Sequence, residues 1–513
     1  MQRSLVGSEM CIRDRGLILS YLNTVLNMII GFFLSSFFVK MLGDTEYGLY
    51  QMVTSFVGYL VLLEFGTGTA MTRNICKCRA QNSSEDEIKK NISTIWTISL
   101  ILALIITIAS VFFYLKIGDV YHNLTLKQVS YAQIILLFEV LYMVISFLSN
   151  TLNGIILGFE KYKIGPIVSI VRLLIRTFLI VGCIICFRYA IVIAIVDCLV
   201  SLGVAVFILI YCKKNLIISF SVRDFDIIVF KDTLPLCFAM FIQVLVNQAN
   251  SSVDQFIIGI KLSPEQVSYY SIGLYIYSAF SSLTTVPITL YGPQIVSDVT
   301  KKSEKPILLE HLIVPSRIIT LIGSTVLFAF FVAGRQFIAI FYGNNYRISW
   351  YVALIIMFPM MINMSNGILV NVLDALNKRM SRSYVLIFST VSNIVLTIFW
   401  IDKWGVIGAC LATAVCTIIG QILLMNIYYS IKLKIPVMYM YFRTFKGILV
   451  PQIISASLAF SIGILIKNNY ISLLISSLIY IAIFGYLFVR FGAQNNEKIM
   501  LEKIKRKFFN FGR

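Results

Sequence analysis

The chain has 513 residues, of which 58% are apolar and only 13% charged, with a net charge of +19 and a mean hydropathy of +0.87. Soluble domains carry about 25% charged residues, so a water-soluble fold is excluded, and the strict apolar–polar alternation of a membrane barrel is absent. The basic excess sits in short joins between apolar runs, which reads as membrane orientation and not as nucleic-acid binding.

Residues 1–15, MQRSLVGSEMCIRDR, have no apolar core before a small-residue cleavage site and match no signal peptide. They resemble translated sequencing-adapter read-through, so they are expected to be a non-native leader, with the genuine chain joining near Gly16. Apolar runs then predict helices over 17–40, 48–72, 94–115, 130–157, 164–187, 189–212, 234–258, 266–293, 313–333, 348–373, 383–401, 405–427, 447–466 and 471–489. Each is long enough to cross the roughly 30 Å hydrocarbon layer, and helices satisfy their own backbone there. Lys and Arg number 32 in the N-terminus, the tail and every second loop, against 9 in the loops between; Arg172 and Arg176, inside a span, complete the 43. Cytoplasmic loops retain Lys and Arg, so about fourteen spans with both termini cytoplasmic are expected. The tail 491–513 interleaves Lys498, Lys503, Lys505, Arg506 and Lys507 with apolar residues. It is either a basic amphipathic helix on anionic membrane lipids or a solvated tail.

FFVKMLGDTEYGLY, residues 37–50, is echoed by FIIGIKLSPEQVSYY, residues 256–270. Each is a helix end, a tight turn, an acid and an aromatic-rich helix start; in the second, Ser263 can cap, Pro264 open the helix and Gln266 close a capping box. This weak repeat predicts an all-α integral membrane fold of two pseudo-symmetric six-helix lobes, 16–225 and 226–435, a terminal helix pair, 436–490, and the basic tail. Paired repeats around a midplane site are a transporter design.

Several spans place polar residues on one helical face. They are Ser20, Thr24, Asn27, Gly31 and Ser35; Glu139, Tyr142, Ser146, Asn150 and Asn153; Gly165, Ser169, Arg172 and Arg176; Gln243, Asn247, Asn250 and Asp254; and, more loosely, Asn363, Asn366 and Asp374. Interhelical hydrogen bonding accounts for such stripes at about 0.6 kcal/mol per contact; five stripes also suit a hydrated cavity. A charge near mid-bilayer costs at least ~2.5 kcal/mol, so it faces a cavity or a partner. Arg176 can pair with Asp197 across a helical hairpin with Glu139 nearby, which is either a structural ion-pair cluster or part of an anion site. Arg172, nearer the cytoplasm and farther from the acids, is the better candidate for a phosphate, which a guanidinium grips bidentately. Candidate substrate contacts are therefore Arg172, Arg176, Asn27, Asn247 and Asn250. Glu139 and Asp197 serve charge pairing. Glu64, before Gly66-Thr67-Gly68-Thr69-Ala70, is a coupling-ion candidate or a headgroup-boundary residue.

Of the ten cysteines, Cys183, Cys186, Cys198, Cys237, Cys410 and Cys416 lie in apolar runs and act as small apolar groups. Cys76-Lys77-Cys78 is too isolated for a zinc site, and His122 and His311 have no ligand-like neighbours, so no metal and no cofactor are expected. GxxxxGK[ST], GxSxG and HExxH are absent, so neither an ATP-driven pump nor an enzyme is read.

Ser20-Tyr21, Leu42-Gly43, Tyr47-Gly48-Leu49-Tyr50, Phe65-Gly66 and Arg73, with Asn153-Gly154 through Gly158-Phe159-Glu160-Lys161-Tyr162, form a pattern that resembles bacterial polysaccharide biosynthesis flippases, the O-antigen and capsule repeat-unit translocases. The resemblance implies the multidrug/oligosaccharidyl-lipid/polysaccharide exporter fold and a location in the bacterial inner membrane. It also implies a polyprenyl-pyrophosphate-linked oligosaccharide held in a cationic cavity and flipped by alternating access. Polysaccharide polymerase and glycosyltransferases are the implied partners. This chain departs in placing acids near its arginines, which suits a zwitterionic or basic sugar unit. The competing readings are an ion-coupled multidrug exporter of the same fold, using Glu64 or Glu139, and a membrane glycosyltransferase or polymerase. The last needs a long outer loop that the sequence lacks.

Overall fold

With few charges and long apolar stretches, the backbone can satisfy its polar groups in lipid only as helix, and all regular structure among the described residues is helical. The computed structural model describes residues 22–23, 25–81, 83–161, 163–215, 224–300, 305–376, 378–494 and 497, apart from the side chains at 62, 80, 236, 239–240, 242–252, 286, 289–290, 293, 296–297, 300, 305–307, 374 and 379. The helices run α1 Val25–Leu42, α2 Asp44–Leu60, α3 Thr67–Ala80, α4 Glu85–Val120, α5 Leu126–Gly158, α6 Ile164–Phe187, α7 Ile191–Asn215, α8 Ile227–Lys261 and α9 Pro264–Thr300. They continue as α10 Lys305–Phe341, α11 Arg347–Ser365, α12 Leu369–Ala375, α13 Arg379–Cys416, a π-helix Thr417–Leu424, α14 Met425–Lys432, α15 Val437–Phe445, α16 Leu449–Leu465 and α17 Asn469–Leu487. Among the described residues, nine helices are long and apolar enough to cross a membrane, or ten if the bent pair α15 and α16 is one span. One of them, Met380–Lys432, is 53 residues long, about twice a single crossing, and kinks at Gly405, where φ is 57°.

The chain separates into two compact units, Met1–Ser268 and Tyr269–Arg513. In the first, Met71, Ile75, Ile92, Ile95, Leu152, Ile155, Ile156, Ile208 and Cys212 knit α3, α4, α5 and α7 into one apolar cluster. Small residues bring α3 and α5 together: a Cβ added at Gly154 would lie 2.4 Å from the Gly68 carbonyl oxygen. Polar contacts line this seam, with Thr72 Oγ1 donating to the Gly154 carbonyl at 3.0 Å and the Thr67 and Thr151 hydroxyls 3.0 Å apart. Ser84 caps α4 ahead of Glu85, Asp86 and Glu87, acids that complement the helix dipole, and Thr125 with Gln128 forms a capping box on α5.

The two segments read as a repeat lie against each other. A Cβ at Gly48 would fall 2.0 Å from the Pro264 carbonyl oxygen, and Thr45 Oγ1 donates to Glu265 Oε1 at 2.7 Å. Pro264 opens α9 as expected, but Ser263 bonds the Glu265 carboxylate.

Two helices read as continuous are broken. In 48–72, α2 gives way to a 3-10 turn over Val61–Glu64, Phe65 (φ 50°) and Gly66 (φ 63°) are left-handed, and α3 restarts at Thr67. Glycine adopts that conformation freely and phenylalanine under strain. In 348–373, the turn Asn366–Ile368 separates α11 from α12.

The second unit is built around α10. Val332, Ile448, Ala456, Ala459, Tyr480, Phe484 and Phe488 pack α16 and α17 onto it. Arg317, 2% exposed, ties the ends of these helices together. Its guanidinium donates to the carbonyls of Arg443 (3.2 Å), Thr444 (3.3 Å), Lys446 (2.7 Å) and Gly492 (2.8 Å), and pairs with Glu497 at 2.6 Å. The tail beyond Glu497, including the amphipathic helix considered from the sequence, lies outside the described residues.

Candidate functional site

Helices α5, α6 and α7 of the first unit carry a polar cluster inside otherwise apolar spans. Arg172 and Arg176 are one turn apart on α6, and Asp197 and Ser201 are one turn apart on α7. The helices form an antiparallel hairpin, so four residues up one match four residues down the other. Arg176 therefore faces Asp197, and Arg172 faces Ser201.

The two rungs differ in chemistry. Arg176 makes a bidentate pair with Asp197, through Nε to Oδ1 and through Nη2 to Oδ2 at 2.8 Å. Asp197 is 5% exposed and its guanidinium partner 28%, so each charge is balanced by the other. Arg172 has no acid opposite. Its Nη2 donates to Ser201 Oγ at 3.0 Å and to Tyr142 OH at 3.2 Å, and its guanidinium carbon lies 5.6 Å from the centre of the Tyr142 ring. No carboxylate is paired with Arg172 among the described residues.

Arg172 also stands at a groove of about 550 Å³ whose walls are apolar, among them Ile167, Val171, Ile175, Leu199 and Phe207. Most of these side chains are exposed, as lipid-facing residues are. The site thus combines a cation held by two hydroxyls with a surface suited to a hydrocarbon chain.

Glu139 of α5 is buried at 3% exposure. It lies in the field of Asp197 and Arg176 with Tyr50 of α2 as its hydrogen-bonding neighbour, and its Oε1 has no partner. The other residues singled out from the sequence are elsewhere. Glu64 ends the 3-10 turn between α2 and α3. Asn27 is exposed on α1 and donates to the Asn23 carbonyl (2.8 Å) and side chain (3.0 Å) one turn back. Asn247 and Asn250 are on α8, with side chains outside the described residues.

Ser201 and Tyr50 are further members of this cluster. Ser201 was detectable as the residue one turn beyond Asp197; Tyr50, more than eighty positions from Glu139, carried no such signal. Arg73 lines a second cavity of about 330 Å³ with Lys77, Lys90, Glu87, Asp226 and Asp232. No group of three or more His, Cys, Asp or Glu side chains able to hold a metal occurs among the described residues.

Comparison with known proteins gives these features a setting. The structure is similar to a solved lipid II flippase MurJ in an inward closed conformation, with a TM-score of 0.70 at 20% identity, covering 92% of this chain and 99% of that one. It is similar to an inward-facing multidrug resistance MATE transporter of the MOP superfamily, with a TM-score of 0.62 at 15% identity over 81% and 96% of the two chains. The Vibrio cholerae MATE transporter VcmN in its bent form gives a TM-score of 0.52 at 12% identity over 81% and 95%. At these identities the likeness is one of fold. No curated protein matches the chain in sequence. A family model described as polysaccharide biosynthesis protein matches residues 14–297. With more than half of its length matched in this way, and with a fold similar to those of the MurJ and MATE structures, the chain belongs to the polysaccharide biosynthesis protein family.

Proposed function

We propose that the chain is a flippase that carries a polyprenyl-pyrophosphate-linked oligosaccharide across the bacterial inner membrane by alternating access, for O-antigen, capsule or exopolysaccharide synthesis. In this reading about fourteen helices cross the membrane, with both termini cytoplasmic, and a six-helix lobe lies on each side of residue 225. Family membership and the MurJ-like fold support a lipid-linked substrate.

The observation that carries the reading is Arg172. A guanidinium within a lipid-embedded helix is costly unless it serves a partner, and this one has two hydroxyls but, among the described residues, no paired acid, beside an apolar groove. A diphosphate ester with a hydrocarbon tail supplies both missing halves: oxygens for the planar fork and chain for the groove. Arg176, neutralised by Asp197, braces the hairpin without contributing a free charge. Asn27, Asn247 and Asn250 are proposed as weaker polar contacts, and no nucleotide or metal is invoked.

The test is translocation of a labelled lipid-linked repeat unit into proteoliposomes. The parent chain moves it and Arg172→Ala slows it at least tenfold, whereas an unchanged rate removes the site and a parent that moves no lipid-linked sugar removes the function. A second reading, an ion-coupled multidrug exporter, draws on the MATE-like fold and the buried Glu139 with its unpartnered oxygen. Dye efflux that is abolished by Glu139→Gln, in an exporter-deficient strain, would favour it.

A further inference from the structure

The second unit contains a cavity that the foregoing leaves without a role. It has a volume of about 320 Å³, within the range that takes small ligands, roughly 300–1,000 Å³. Its lining is mixed: Asn363, Asn366, Gln421 and Arg382 face it beside apolar side chains such as Met364 and Leu386, and among the described residues no Asp or Glu lines it.

Two of the segments that supply its amides depart from regular helical geometry there. α11 stops at Ser365, and the chain turns through Asn366, Gly367 and Ile368 on bonds that reach back three residues: Asn366 N to the Asn363 carbonyl at 3.2 Å and Gly367 N to the Met364 carbonyl at 2.8 Å. Gln421 sits in the π-helix Thr417–Leu424. Discontinuous membrane helices and π-segments are tolerated where they serve a site, because each weakens the backbone ladder it interrupts.

The amides are built into a network. Asn363 Nδ2 donates to Gln421 Oε1 at 2.8 Å, joining α11 to the π-helix. Whichever way round the two amides stand, the pair retains one donor and one acceptor at the cavity. Asn366 donates to Asn426 Oδ1 at 2.9 Å and to Tyr441 OH at 2.7 Å, which fixes its own orientation. A cation site would want carboxylates, and a drug pocket would be mainly apolar. Paired amide donors and acceptors with one guanidinium match a polyhydroxylated ligand.

We propose that this cavity is a subsite for the sugar portion of the transported molecule, separate from Arg172, and that Asn363 and Gln421 hydrogen-bond neutral sugar hydroxyls. The inference rests on the lipid-linked oligosaccharide reading and adds the place where its glycan is recognised.

The probe is the mixture of oligosaccharides released by mild acid from the polyprenyl-pyrophosphate pool of the expressing cells, added to the purified full chain in detergent. Binding is followed by saturation-transfer NMR, and translocation of the intact lipid-linked unit is measured in parallel. The parent chain is expected to bind a released glycan. The Asn363→Leu/Gln421→Leu variant is expected to bind it about tenfold or more weakly, and Arg172→Ala to bind it as the parent does. A parent that translocates the lipid-linked unit but binds no released glycan overturns the subsite alone. So does a folded double variant that binds as the parent does. Failure of the parent to translocate any lipid-linked unit overturns the underlying function instead. Should the double variant not fold, thiol labelling of Gln421→Cys, read at that peptide by mass spectrometry, decides. Protection by the glycans supports the subsite, and equal labelling with and without them overturns it.

Discussion

Removing the carboxylate of Asp197 tests what the Arg176 pair does. The two charges meet bidentately, with the Nη2–Oδ2 contact at 2.8 Å and Asp197 only 5% exposed. At an effective dielectric of about 20, their attraction at this distance is roughly 6 kcal/mol, most of it offset by the cost of taking both out of water. Asp197→Ala leaves the guanidinium uncompensated, and breaking such a pair costs about 3–5 kcal/mol. Arg176 is 28% exposed, so the lower end applies, about 3 kcal/mol or roughly a hundredfold in the folded-to-unfolded ratio. Replacing both residues, as Arg176→Met with Asp197→Leu, removes the unpaired charge and is expected to stay within about 1 kcal/mol of the parent. Glu139 then loses one attractive and one repulsive neighbour together. Unfolding in mild detergent by tryptophan fluorescence gives the stabilities, and reconstituted translocation gives the activity. A structural pair predicts a stable double variant that still translocates, because Arg172 is untouched. A double variant as unstable as Asp197→Ala alone would refute the coupling. A stable double variant without translocation would give Arg176 a direct hand in transport.

Further tests probe the packing within each unit. Gly154→Val, which drives a side chain into the Gly68 carbonyl, is expected to cost about 1–3 kcal/mol through overpacking. Gly182→Ala, on a helix face with nothing within 4 Å, should be neutral or slightly stabilising, and parallel thermal melts compare the two. Gly48→Ala should similarly separate α2 from the start of α9, where the Pro264 carbonyl occupies the added Cβ position, with a lowered melting temperature as the readout. Arg317→Met should strand Glu497 and four carbonyls at a cost of about 3–5 kcal/mol. Limited proteolysis should then cut the segment after Ala493 faster than in the parent.

How much of this was readable from the residues depends on how far apart the partners lie. Helix positions follow largely from apolar runs, since each helix answers to lipid largely by itself. The register of the α6–α7 hairpin was readable too, because i, i+4 spacing on two helices joined by a tight turn leaves one way for the polar faces to meet. The break at Phe65–Gly66 was not, since a phenylalanine in the left-handed region obeys no local propensity and is held there by its surroundings. Arg317 was hidden for another reason. It counts toward the inside-positive bias like any loop-edge arginine, while its partners at 443–497 lie more than a hundred residues on. The same logic explains why two arginines that look equivalent along α6 are not. They share a helix, a face and a spacing, and differ in what α7 sets opposite: an aspartate that cancels one charge and a serine that holds the other in place without cancelling it. Exchanging those two α7 residues, Asp197→Ser with Ser201→Asp, should therefore move the uncancelled charge from Arg172 to Arg176, one turn along the helix. Translocation that persists with Arg172→Ala in this swapped background, but fails with Arg176→Ala, would establish that the missing acid makes the site; dependence still confined to Arg172 would show that it does not.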